Sequence, residues 1–125
     1  MEKVVSKRQM GSQAEKMAAH FLEGQGFSIL SKNYSIRQGE IDLIACQKKE
    51  LHFVEVKLRN SAAYGSGREA VGYLKQKRME KTAYHWMMCY PQYEEFEKFF
   101  SVVEIDASYK PQAQINWIPN AFSLR

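Results

Sequence analysis

Asp42 and Glu55 are the residues of this chain whose types and spacing most clearly suggest chemistry. They lie in Gly39-Glu40-Ile41-Asp42-Leu43-Ile44 and Phe53-Val54-Glu55-Val56-Lys57, each of which reads as a β-strand. Cys46 to Leu51 is a hairpin-length link carrying the polar run Gln47-Lys48-Lys49-Glu50. A turn centred on Lys48-Lys49 sets Cys46 opposite Leu51, Ile44 opposite Phe53, Asp42 opposite Glu55 and Glu40 opposite Lys57. Opposed side chains of an antiparallel pair have Cβ atoms about 4.5–5.5 Å apart, and like charges placed there destabilise the sheet. A divalent cation would remove that conflict, because hard oxygen ligands are what Mg²⁺ or Mn²⁺ requires. Either acid alone would read as an ordinary solvent-facing position. The aligned pair, with Lys57 two residues beyond Glu55, reads as a site.

The elements around the pair must hold that register. The other face of the hairpin carries Ile41, Leu43 and Ala45 beside Val54, Val56 and Leu58, with only His52 interrupting. This is the core-facing surface, and a slip of one residue would bury the carboxylates. Before the hairpin, Met10, Ala14, Met17, Ala18, Phe21 and Leu22 recur at helical spacing, predicting a helix from Lys7 to Gly24 with Gly24 and Gly26 as its stop. Strands are expected near 27–36, 40–46 and 51–58, then a glycine-rich loop from Asn60 to Gly67, either a substrate-ordered flap or a simple connection. A second helix is expected from Arg68 to Met88, with Val71, Met79, Thr82 and Trp86 turned inward. Lys75 falls in the middle of that stripe, so it must snorkel out or meet an anion. Strands near 101–105 and 115–118, separated by a turn at Lys110-Pro111, complete a mixed α/β order, αβββαβ with a small addition.

A chain of 125 residues fits one domain spanning 1–125. No apolar run is long enough to span a membrane, and the first eight residues lack the apolar stretch of a signal peptide, so a cytoplasmic protein is expected. Cys46 and Cys89 lack metal-ligand spacing and read as free thiols; His20, His52 and His85 read as structural or surface residues. The net charge of +4 is unevenly spread. Between Val56 and Tyr90, Lys57, Arg59, Arg68, Lys75, Lys77, Arg78 and Lys81 face only Glu69 and Glu80, which makes that segment +5 and the remainder −1. Tyr64, Tyr73, Tyr84 and Trp86 are interleaved with the cations, a footprint expected of a nucleic-acid partner. Arg59, Arg68 and Arg78, with Tyr64, are the candidate nucleic-acid contacts.

An Asp, a gap and Glu-x-Lys on adjacent strands resembles the signature of the PD-(D/E)XK nuclease superfamily. The fuller string resembles the YraN family of bacterial proteins, usually assigned as endonucleases and similar to archaeal Holliday-junction resolvases. The matching pieces are Gly11 with Ala14-Glu15, Gly26-Phe27, Asn33-Tyr34, Gly39 to Ala45, Phe53 to Lys57, Arg59, Tyr64-Gly65, Ala70-Val71, Lys75-Gln76 and Asn120-Ala121-Phe122. The resemblance implies a restriction-endonuclease-like core, a mixed sheet flanked by helices. It implies a metal-dependent endonuclease acting on structured or branched DNA, with Mg²⁺ (or Mn²⁺) held by Asp42, Glu55 and the carbonyl of Val56. Lys57 would orient the attacking water or stabilise developing charge. Glu15 would be the helix-borne acid beside the metal, Glu40 an alternative outer acid, and Lys75 and Gln76 would contact phosphate or organise the site. Junction-cleaving relatives act as dimers, which admits a homodimer. Where the family reads Arg-Phe-Asp-Val, this chain has Phe99-Phe100-Ser101-Val102, and no chemistry is assigned there. Two rivals remain: a nucleic-acid-binding module with little hydrolysis, and a protein-interaction subunit whose acids are salt-bridged by Lys57 and Lys75.

Overall fold

A computed structural model describes residues 7–59, 71–106 and 112–123. Helix α1 (Lys7–Gly24) leads into strands β1 (Ser28–Ile36), β2 (Gly39–Gln47) and β3 (Glu50–Arg59). Helix α2 (Tyr73–Cys89) and a 3₁₀ turn (Pro91–Tyr93) follow, then β4 (Glu97–Asp106) and β5 (Gln114–Phe122). The five strands form one sheet in the order β1-β2-β3-β4-β5, in which only β3 and β4 run parallel. This is the expected mixed α/β core. The predicted start of α2 at Arg68 and the turn at Lys110-Pro111 lie outside the described residues.

The β2–β3 turn is where the sequence placed it. Lys48 and Lys49 take φ of 50° and 63°, the doubly positive geometry of a tight hairpin whose twist matches its strands. Cys46 pairs with Leu51 and Ile44 with Phe53, as expected. Beyond Leu43–Val54 the ladder between these strands stops.

Both faces of the sheet are buried, not one. On β3, Leu51 and Phe53 pack with Met79, Ala83 and Trp86 of α2. Val54, one step out of phase, packs with Ala14, Ala18 and Leu22 of α1. The helices therefore cover opposite faces, and strands buried on both faces lose the one-sided alternation that sequence reading relies on. Ile41 is a correction to the expected face. It packs under α2 while Leu43 packs under α1, so the alternation of β2 breaks at Asp42. Across from it, Asn33 of β1 adopts φ 52°, and the Asn33/Asp42 position is missing from the β1–β2 register, which also shifts by one residue between Ile29 and Ser31.

A second correction concerns the strand expected near 101–105: β4 begins four residues earlier, at Glu97, and runs beside β3 from the Glu50–Glu97 pair to Arg59–Asp106. At the opposite side of the hairpin, α2 touches β2 closely. A Cβ on Gly39 would lie 2.9 Å from Thr82 Oγ1 and 3.0 Å from both Cβ and the carbonyl oxygen of Arg78. Only a residue without a side chain permits that approach. Among the described residues no helix is long and apolar enough to cross a membrane.

Candidate active site

Where β2 parts from β3, a side chain replaces the backbone ladder. The Val56 N–H donates to Asp42 Oδ2 at 2.8 Å, which fixes the Asp42 carboxylate beside β3. A residue's N–H and C=O lie along the same edge of a strand, so the Val56 carbonyl is directed into the same gap. Asp42, Glu55 and Glu40 then line one cavity of about 260 Å³, closed on its far side by Lys75, Arg78 and Met79 of α2. Glu55 is 6 % exposed, and its Oε1 accepts from the ammonium of Lys75, which is half in solvent. The lysine in the middle of the inward stripe thus meets the anion it needed.

The electrostatics of the pair are in conflict. Burial raises the Asp42 carboxyl to about 7, the neighbouring charge of Glu55 and the hydrogen bond between them add to the rise, and the Val56 N–H and Lys75 oppose it. Glu40 is raised too, by desolvation first, then by Asp42 and Glu15, against Lys75. Three carboxyls with one engaged ammonium are short of positive charge.

The other predicted residues divide. Lys57 shares the α2 side of β3 with Glu55 by alternation, but it does not line the cavity, and among the described residues it makes no ion pair. It is therefore Lys75, not Lys57, that offsets the acids. Glu15 lines a separate cavity of about 120 Å³ on the α1 side with Ser12, Lys16, Lys32 and Asn33, and reaches the site only through its field on Glu40. Gln76 donates its side-chain amide to the Val71 carbonyl at 2.8 Å, tying down the entry to α2. Arg59 departs most from expectation. Its guanidinium is nearly buried and donates to Glu104 at 2.9 Å, so it joins β3 to β4 instead of facing a phosphate. Arg78 is exposed and lines the cavity; Arg68 and Tyr64 lie outside the described residues.

Sequence reasoning missed Arg37. It stands at the tip of the β1–β2 hairpin and, with Arg78, lines a second cavity that adjoins the first. Its signal was available: a cation in a two-residue link immediately before the Gly39-Glu40 start of the acidic strand.

The whole framework is shared with known proteins. The profile of the Uncharacterised protein family UPF0102 matches residues 14–105, which include every side chain of the cavity. The chain belongs to this family. A UPF0102 protein of Saccharophagus degradans is 42 % identical over 114 residues, covering 91 % of this chain and 92 % of that one. UPF0102 proteins of Aliivibrio fischeri and Alcanivorax borkumensis are 39 % and 38 % identical over 122 and 117 residues, covering 97 % and 94 % of both chains. The family-level resemblance read from Gly39–Ala45 and Phe53–Lys57 is thereby borne out.

Proposed function

We propose that this UPF0102 protein is a metal-dependent endonuclease that hydrolyses phosphodiester bonds in structured or branched DNA. The observation that carries the reading is the pairing of Asp42 with Glu55 in one open, partly desolvated cavity with a single engaged lysine. The donor set suits Mg²⁺ or Mn²⁺. Among the described residues no group of three or more His, Cys, Asp or Glu is placed to enclose a metal. Mg²⁺ does not need such an enclosure: it is commonly held by one or two carboxylates and keeps several waters. Asp42, Glu55 and the Val56 carbonyl would hold it, and the ion would supply Lewis-acid activation and a water of lowered pKa.

The chain's own residues do the remaining work. Val56 N–H holds Asp42 in one orientation, and burial of Glu55 against α2 holds the second carboxylate. Lys57, without an acidic partner among the described residues, is left to stabilise negative charge developing on the phosphate. Arg78 positions the backbone without reading sequence. DNA as partner, a cytoplasmic location and a homodimeric assembly belong to this same reading.

One contact favours a second reading, a nucleic-acid-binding module without turnover: Lys75 already occupies Glu55 Oε1. A cleavage screen of branched and linear DNA with Mg²⁺ or Mn²⁺, run beside Asp42→Asn, separates the two. Metal-dependent product from wild type alone supports the nuclease. Binding with no product under any condition supports the module.

A further inference from the structure

The carboxylate cavity does not end at Glu40. Gly39, Glu40 and Arg78 line both it and a second, more open trough of about 520 Å³, whose other wall is the β1–β2 hairpin with Arg37 and Gln38 at its tip. The two arginines come from different elements. Arg78 lies one helical turn beyond Lys75, and positions three apart share a helix face. Arg37 is two residues before Gly39, the glycine pressed against Arg78 and Thr82. That contact sets how closely the start of β2 approaches the helix beside the trough.

Both guanidinium groups are exposed, and among the described residues neither is engaged in an ion pair. The other cations near the site are in part consumed: Lys75 by Glu55, Arg59 by Glu104, Lys77 by Glu80. Glu40 stands at the junction of the two cavities and would repel an anion there. The outer end, between Arg37 and Arg78, is where an anion is favoured. Planar guanidiniums on two sides suit a phosphodiester, whose oxygens accept paired N–H donors.

We propose that this trough seats the DNA phosphate next to the one presented to Asp42 and Glu55. The strand would leave the carboxylate cavity between the β1–β2 hairpin tip and the N-terminal half of α2, clamped by Arg37 and Arg78. This rests on the nucleic-acid reading above and adds a path and a new contact residue to it.

The test uses binding, not cleavage. Fluorescein-labelled single-stranded and duplex oligonucleotides of one sequence are titrated with the full chain in EDTA, by anisotropy, across a salt series. Arg37→Ala/Arg78→Ala should weaken single-strand binding about tenfold and flatten the slope of log affinity against log salt by about one. Arg78→Ala keeps the Cβ that packs on Gly39, and thermal melts confirm the fold. Lys48→Gln/Lys49→Gln, at the β2–β3 turn, removes equal charge elsewhere and should change little. If the double arginine variant binds like wild type, or the lysine control loses as much, the trough is not the seat while the nuclease reading stands. If wild type shows no salt-dependent binding to either oligonucleotide, both fall together.

Discussion

Strand β3 carries two polar clusters three residues apart, and they are built on opposite rules. At His52, 2 % exposed, every polar atom has a complementary partner. Asn120 N–H donates to Ser101 Oγ at 3.1 Å, and Ser101 is thereby left to donate to His52 Nδ1 at 2.8 Å. The ring's Nε2–H then donates to Glu50 at 3.1 Å, a tautomer assigned from the network. Phe27, Phe99 and Trp117 pack around the imidazole with centroids 5.2, 4.8 and 5.4 Å away. At Glu55 the neighbour is another acid, and the cluster opens to a cavity. Serine, histidine and glutamate in hydrogen-bonded sequence could suggest catalysis, yet Ser101 and His52 are closed to substrate. Buried polar groups that serve the fold are satisfied internally, whereas those left in conflict await something else.

The largest effect that would sharpen this contrast is on activity. Asp42→Asn and Glu55→Gln should reduce metal-dependent cleavage to background. The apo protein should melt at or above the wild-type temperature, because repulsion is relieved and the amide introduced by Asp42→Asn would keep an oxygen for the Val56 N–H. Melting well below wild type in both variants, with no stabilisation of wild type by Mg²⁺, would make the pair a structural network and break the comparison.

His52→Ala should do the reverse. It leaves a cavity among three aromatic rings and strands the Ser101 hydroxyl, at a cost of about 3 kcal/mol, while cleavage per folded molecule is retained. Denaturant unfolding alongside specific activity measures both.

The clusters should also pull stability in opposite directions with pH. Asp42 binds its proton more tightly folded than unfolded, its carboxyl being raised from 3.8 to about 7. Its contribution is complete below about 3.8 and is lost as pH climbs through 7, on the order of 4 kcal/mol in the metal-free protein. His52 is lowered by burial, with Glu50 opposing, so its contribution is present above 6.5 and lost as pH falls below that. Subtracting the Asp42→Asn stability profile from wild type should give a difference that declines toward neutral pH. The His52→Ala difference should decline toward acid. Equal slopes for the two would contradict the assignment.

The smallest effect separates the lysines. Lys75→Met removes the partner of Glu55 and should cost the apo protein about 1 kcal/mol, since half of that side chain is in solvent. Lys57→Met should leave apo stability within about 0.5 kcal/mol while reducing cleavage. Matched melting curves for the two variants decide it.

Much of this was local enough to be read from the chain. Helix α1 ends where its apolar stripe meets two glycines, and the β2–β3 register follows from strand period and a short polar turn. That register brings the two acids to the same end of the hairpin, but the ladder stops at Leu43–Val54 short of the expected Asp42–Glu55 pair, and the Val56 N–H bond to Asp42 holds the carboxylate there. Tertiary contacts decided the rest. Whether Lys57 or Lys75 neutralises Glu55 depends on how α2 crosses β2, and Gly39 sets that crossing by contact with Thr82 and Arg78. Arg59 looks like every other cation in a basic segment until β4 places Glu104 beside it. Arg37 and Arg78 stand 41 positions apart and meet only across the hairpin–helix contact. Periodicity specifies which side of an element a residue occupies, because that is a property of the local backbone. Which charge it meets there is set by elements distant in sequence, and only the packed fold determines it.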